Sequence, residues 1–203
     1  MSKKNLIWKE EENKEVFRSR IFSIRESVCR SPDNSRGTYT VIHSPDWVIV
    51  IPVLKTPQGE KFVMVRQWRH GSQELSLEFP GGVFETGEDA AQAAARELLE
   101  ETAYKPGTIQ KIGEFNPNPA IMSNRVHFFM AGDLEFTGKQ ELDEDEFIEV
   151  DLVDPAEVFR NLGQPPYIHA LMGAACALYL QKTAGNTPSG FPGGSNKHEQ
   201  TQV

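Results

Sequence analysis

The sequence predicts an α/β protein: an α/β/α sandwich on a mixed sheet, with a small antiparallel β appendage at its N-terminus. Three observations lead there. Trp47-Val-Ile-Val-Ile-Pro-Val-Leu54 is apolar at consecutive positions, the pattern of a strand covered on both faces. A strong helical pattern, Asp89 to Thr102, stands between stretches that alternate as strands. Two more helical patterns follow the last of those strands, which supplies helices for both faces.

Each element has its own signal. Val16 to Cys29 and Thr38 to His43 are half-alternating strands around Ser31-Pro-Asp-Asn-Ser-Arg-Gly37, which makes residues 1–45 the appendage, with a boundary near Ser44-Pro45. Trp47 to Leu54 and Phe62 to Val65 flank Thr56-Pro-Gln-Gly59, a hairpin turn. Weaker strands are expected near 109–115, 125–131 and 147–153. Asp154-Pro155 is an N-cap followed by Pro at the first helical position. From Tyr167 to Gln181, the residues Ile168, Leu171, Met172, Ala175, Leu178 and Tyr179 form one apolar stripe, with Cys176 expected in the core. The main domain thus covers 46–182. Residues 183–203, rich in Gly, Pro, Ser and Thr, are expected to be a disordered tail.

Composition narrows the function. The 203 residues carry a net charge of −8, which opposes a non-specific nucleic-acid or anionic-membrane binder and suits divalent cations. The longest apolar run, Ile168 to Leu180, is too short to span a bilayer, so no membrane partner is expected. Two cysteines, Cys29 and Cys176, make no disulfide framework. With no apolar leader segment at the N-terminus, a cytoplasmic location is expected.

The informative cluster is on the strong helix. Glu97, Glu100 and Glu101 sit at i, i+3 and i+4 and share one face. Like charges at i,i+4 cost roughly 0.2–0.5 kcal/mol, and the helix C-terminal end is itself unfavourable for anions. A bound Mg²⁺ removes both penalties by taking carboxylate oxygens. Arg96, four residues before Glu100, is in the weaker order for a helical ion pair and fits a role in orienting a carboxylate. Three glutamates alone would read as a solvated acidic face. The Gly-rich approach at 81–87 and the Arg favour a metal site.

Gly82, five residues, Glu88, seven residues, then Arg96-Glu97-Leu98-Leu99-Glu100-Glu101 resembles the box of the Nudix hydrolases, with Gly82, Glu88 and Arg96 as its structural positions. The box departs from the family at its end, where Ala103 and Tyr104 replace the usual Gly and aliphatic residue. An αL conformation at Ala103 would cost about 1–2 kcal/mol; alternatively the turn moves to Lys105-Pro106-Gly107. The resemblance implies the Nudix fold, Mg²⁺ (or Mn²⁺) held by Glu97, Glu100, Glu101 and the Gly81 carbonyl, and hydrolysis of a nucleoside diphosphate linked to another group.

Flanking features are similar to the branch that hydrolyses ADP-ribose and other nucleoside diphosphate sugars. They are Arg66-Gln-Trp-Arg69, whose Arg69 would grip phosphates, Leu77-Glu78-Phe-Pro-Gly81, and Pro119 in Asn116-Pro-Asn-Pro119. By the same resemblance Glu146, heading Glu-Phe-Ile-Glu-Val150, orients or deprotonates the attacking water, with Glu144 second. The resemblance also implies a homodimer whose appendage is exchanged and stacks an aromatic, Tyr39 or Phe22, on the base. The plain alternatives are a surface charge for Arg69, an ordinary turn for Pro119 and a solvated loop for Asp143 to Glu146. Trp68 is expected in core or interface, and His43, His70, His127 and His169 to be structural. ADP-ribose, yielding AMP and ribose 5-phosphate, is the favoured substrate, with GDP-mannose or another sugar nucleotide as the enzyme alternative. The non-enzyme alternative is an inert ADP-ribose-binding regulator, which the full set of box glutamates opposes.

Overall fold

The computed structural model describes residues 5–85 and 87–184. Of the expected tail, 185–203 lie outside the described residues, while Thr183 and Ala184 end the last helix.

Strands β1 (Lys9–Arg18), β2 (Ser23–Arg30) and β3 (Arg36–His43) form an antiparallel sheet in that order. The stretch from Val16 to Cys29, read from the sequence as strand-forming, is therefore shared between two strands. Ser19 Oγ accepts from the Ile21 and Phe22 amides at 3.3 and 3.0 Å, a local turn that separates β1 from β2. Strand β1 starts seven residues earlier than alternation suggested, in the charged run Lys9 to Glu15, because backbone pairing to β2 needs no apolar face. All ten of its residues are exposed.

The main sheet is built on β4 (Trp47–Thr56) and β5 (Gly59–Arg69), joined by the two-residue turn Pro57-Gln58, with Gly59 just after it at φ 113°. Strand β4 pairs in parallel with β9 (Val126–Gly132) through Trp47 to Pro52, then antiparallel with β5 through Val53 to Thr56. Strand β5 also pairs with β11 (Glu149–Val153) and with β6 (Glu74–Glu78), and β8 (Thr108–Phe115) closes the far edge beyond β9. A small ribbon pairs β7 (Tyr104–Lys105) with β10 (Glu135–Phe136).

The expected two-sided burial of β4 is observed. Ile49 and Ile51 face a core with Phe62, Phe128, Met172 and Tyr179, while Val48 and Val50 face Ala93, Ala94 and Leu98. Helix α1 (Ala90–Thr102) covers the second face; α3 (Ala170–Ala184) supplies Met172, Ala175, Cys176 and Tyr179 to the first. Cys176 is core, as expected, and burial pushes its thiol up to about 12. Between them α2 (Pro155–Asn161) starts where predicted, with Asp154 accepting from the Ala156 amide at 2.9 Å. The result is the α/β/α arrangement with a mixed sheet and a separate N-terminal sheet. Among the described residues no helix is long and apolar enough to cross a membrane.

Candidate active site

Local sequence fixes the acidic helix at both ends. Asp89 Oδ1 accepts from the Ala91 and Gln92 amides, and the Gln92 side chain accepts from the Asp89 amide, a reciprocal cap. At the other end Ala103 takes the αL conformation (φ 58°, ψ 18°), its amide donating to the Leu99 carbonyl at 2.8 Å. The turn has not moved to Gly107; Ala occupies the position where the family has Gly.

The last turn's carbonyls, which no helix can satisfy internally, are bonded by the segment that carries Glu144 and Glu146. The Glu141 amide donates to the Glu100 carbonyl (2.9 Å), Gln140 Nε2 to the Glu101 carbonyl (2.5 Å) and the Thr137 amide to the Ala103 carbonyl (2.8 Å). The acidic loop is thereby anchored to the box helix, a link that no local sequence signal announces.

Arg96 holds the box together. Its guanidinium grips both Glu88 oxygens at 3.0 Å, reaches Glu97 and Glu100 at 2.9 Å, and donates to the Val83 carbonyl at 3.1 Å. Through these contacts it meets two of the box carboxylates and ties the Gly-rich loop to the helix. Gly82 packs against Glu97 so closely that a Cβ there would lie 2.4 Å from Glu97 Oε1. At Gly81 a Cβ would lie 2.1 Å from the Val48 carbonyl oxygen, and the Gly81 amide donates to Glu101 Oε2 at 2.9 Å.

These contacts leave two carboxylates short of counter-charge. Glu101 is only 4 % exposed, and burial raises its pKa well above the usual carboxylate range, with Glu97 and Glu146 adding repulsion. Burial raises Glu97 to about 7 despite Arg96, with Glu100 and Glu146 again adding to the shift. Glu146 is thus near enough to be felt by both of these carboxylates. Among the described residues no three His, Cys, Asp or Glu side chains converge into a preformed cage, because Arg96 and the Gly81 amide engage the carboxylates. The donor set fits a divalent cation nonetheless: hard oxygen ligands, buried, with excess negative charge that a cation would relieve.

Beside the carboxylates lies a cavity of about 620 Å³ whose wall includes Gly81, Gly82, Arg69, Glu78 and His169. Arg69 forks onto Glu78, Nε to Oε1 at 2.9 Å and Nη2 to Oε2 at 2.6 Å. His169 Nδ1 lies 2.7 Å from the same Oε2. Glu78 is 2 % exposed; burial would raise its pKa, but the Arg69 and His169 hydrogen bonds outweigh that and hold it well below the usual range. Arg69 and Glu78 are therefore brought together, as a pair rather than as independent groups. His169, expected to be structural, belongs to this wall. Nothing in sequence could pair it with a glutamate 91 residues away. Trp68, expected in core or interface, is 49 % exposed and lines the cavity.

The remaining candidates lie apart from this wall. Pro119 is exposed in the loop that meets β3, where the Ile42 amide donates to the Ile121 carbonyl at 2.7 Å. Tyr39 is half exposed on the appendage with Trp8 edge-on at 5.4 Å, and Phe22, in the turn before β2, is 6.1 Å from Phe17.

The fold and this glycine-glutamate-arginine arrangement define a box-bearing hydrolase, and the comparisons agree. Residues 45–172 match the model of the NUDIX domain; the chain belongs to that family and is an enzyme of the Nudix hydrolase class. It is 34% identical over 137 residues to an ADP-ribose pyrophosphatase of Bacillus subtilis (strain 168), covering 67% of this chain and 72% of the relative. A methanol dehydrogenase activator of Bacillus methanolicus is 29% identical over 140 residues, 67% of this chain and 72% of that protein. The crystal structure of an ADP compounds hydrolase superposes with a TM-score of 0.79 at 22% identity, covering 91% of this chain and 98% of that one, which supports the fold.

Proposed function

We propose that the protein hydrolyses the pyrophosphate bond of nucleoside diphosphate sugars with Mg²⁺ (Mn²⁺ as a substitute), ADP-ribose being favoured and giving AMP and ribose 5-phosphate. The observation that carries this reading is the juxtaposition of Glu97 and Glu101, whose carboxyls burial raises above the usual range, and a cavity walled by Gly81, Gly82 and the Arg69 fork. The similarity to an ADP-ribose pyrophosphatase supports the choice of substrate.

Glu97, Glu100 and Glu101, with the backbone at Gly81, would hold the metal, which when bound neutralises the pyrophosphate and activates water. The chain's own groups do the rest. Arg96 orients Glu97 and Glu100; Arg69, whose fork to Glu78 uses two of its five N–H groups, offers the others to phosphate oxygens. Glu146, on the loop anchored to the helix end, accepts the proton of the attacking water, with Glu144 as second candidate. The protein acts in the cytoplasm, as a homodimer in which Tyr39 or Phe22 stacks on the base of the partner's substrate. GDP-mannose or another sugar nucleotide is the alternative substrate.

A panel of sugar nucleotides incubated with Mg²⁺ and analysed for products tests the reading. ADP-ribose should be cleaved fastest, and Glu101→Gln should lose at least about 10²-fold in turnover while folding normally. Near-normal Mg²⁺-dependent turnover by that variant would remove the box helix from the chemistry.

A further inference from the structure

Two side chains of the cavity wall have no part in the chemistry above. Ser76 lies on β6, 1 % exposed, and its Oγ has no hydrogen-bond partner among the described residues. Strand alternation puts Ser76 and Glu78 on one face of β6, with Leu75 and Leu77 on the other. A buried hydroxyl without a partner destabilises the fold, and alanine would fill the same place without that penalty. The second side chain is His169, just before α3. Its Nδ1 faces Glu78 Oε2 at 2.7 Å, and Glu78, gripped by Arg69, is ionised and can only accept. Nδ1 therefore carries the proton, and in the neutral ring Nε2 is left as an acceptor on a side chain that lines the cavity.

The wall thus holds an unpartnered hydroxyl just beneath its surface and, on the half-exposed His169, an imidazole acceptor, next to the Gly81-Gly82 backbone that contacts Glu101 and Glu97. That combination matches a phosphorylated polyol: phosphate toward the glycines and the carboxylates that would hold a metal, ring hydroxyls toward Ser76 and His169. We propose that Ser76 and His169 are specificity-determining residues that read the hydroxyls of a sugar phosphate seated in this cavity, Ser76 through Oγ and His169 through Nε2 while its Nδ1 holds Glu78. The inference rests on the reading of the chain as a sugar-nucleotide hydrolase and names the residues that select the sugar.

The test compares the native protein with Ser76→Ala, His169→Asn and His169→Gln. The asparagine amide can replace Nδ1 against Glu78 but leaves nothing at Nε2; the glutamine does the reverse. ADP-ribose kinetics with Mg²⁺ are measured beside calorimetric binding of ribose 5-phosphate and of AMP to metal-free protein. Ser76→Ala and His169→Asn should each raise KM about 2- to 10-fold, the range for one neutral hydrogen bond, with kcat nearly unchanged. Each should weaken one of the two sugar phosphates by a similar factor, and the one weakened identifies which sugar is read. Ser76→Ala should melt at or above the native temperature, and His169→Gln should recover KM yet melt lower. Native-like KM and binding in both Ser76→Ala and His169→Asn would overturn the subsite while leaving the hydrolase reading intact, and so would a melting temperature several degrees lower for Ser76→Ala. Failure of the native protein to cleave any sugar nucleotide would instead overturn the hydrolase reading, and the subsite with it.

Discussion

At the scale of single residues the site is a problem of charge without water. Glu97 is raised to about 7 by burial, against an unperturbed value of 4.5. An acid whose folded pKa is raised binds a proton in the native state that the unfolded chain has already released. Its contribution to stability is therefore full below about pH 4.5 and lost as pH rises through about 7. Glu101 shifts in the same direction for the same reason. Metal-free protein should accordingly melt at falling temperatures across that window, and Glu97→Gln should flatten the slope. Mg²⁺ added at pH 8 should restore stability, because the cation replaces the proton as the compensating charge. Differential scanning calorimetry in chelator checks this; a profile that rises with pH across the window in both proteins would refute the assignment. The box carboxylates were legible in sequence because i, i+3 and i+4 spacing is a local fact. His169 and Ser76 were not, since their significance depends on what lies opposite them after folding.

At the scale of elements, the box helix shows how much a local signal specifies. Its start, Asp89 with Gln92, and its periodicity were readable, and so was the question of how it ends. Ala103 in αL carries strain of about 1–2 kcal/mol, but its buried methyl contributes roughly 0.8 kcal/mol and its replacement by glycine adds backbone entropy to the unfolded chain. Ala103→Gly should therefore change stability by less than about 1 kcal/mol. Ala94→Gly, in a buried helix interior, should cost more than about 1.5 kcal/mol from lost propensity and packing together. Urea unfolding of the two variants decides it, and equal losses would contradict the strain argument. The acidic loop is the element that sequence could not place, because its anchors, Gln140 and Glu141, bond to helix carbonyls about forty residues away. That anchoring argues for Glu146 as the base, since a tethered loop supplies reach. Glu146→Gln should lower kcat with little change in KM, and should do so more than Glu144→Gln. Steady-state kinetics showing the reverse order would transfer the role to Glu144.

At the scale of the whole molecule, the appendage raises the remaining question of what it packs against. Its outer strand buries little of itself: every residue of β1 is exposed, and Trp8, Val16, Phe17, Ile21 and Tyr39 are each about half exposed or more. A small antiparallel sheet is marginal alone and needs an apolar face covered. Among the described residues its links to the main domain include the Ile42–Met122 bridge, the Ile42 bonds to Ile121 and Ser123, the Ser123 Oγ contact with His43 Nδ1 at 3.0 Å, and an exposed Arg20–Asp145 ion pair at 3.5 Å that contributes little. The apolar surface therefore exceeds what one copy covers, and exchange between two identical subunits would cover it by symmetry. Strand pairing made β1 hard to read from sequence, and the exposure of Trp8 and Phe17 shows only in the folded chain. If a two-fold partner covers this face, Phe17→Glu should convert a dimer to a monomer at micromolar concentration in light scattering, with the main domain still folded. Tyr39→Ala should leave the dimer intact and raise KM for a sugar nucleotide about 5- to 150-fold, the range for losing one base-stacking contact. A native protein that is monomeric at that concentration and keeps full activity after deletion of residues 1–43 would show that the exposed face serves neither dimerisation nor the base.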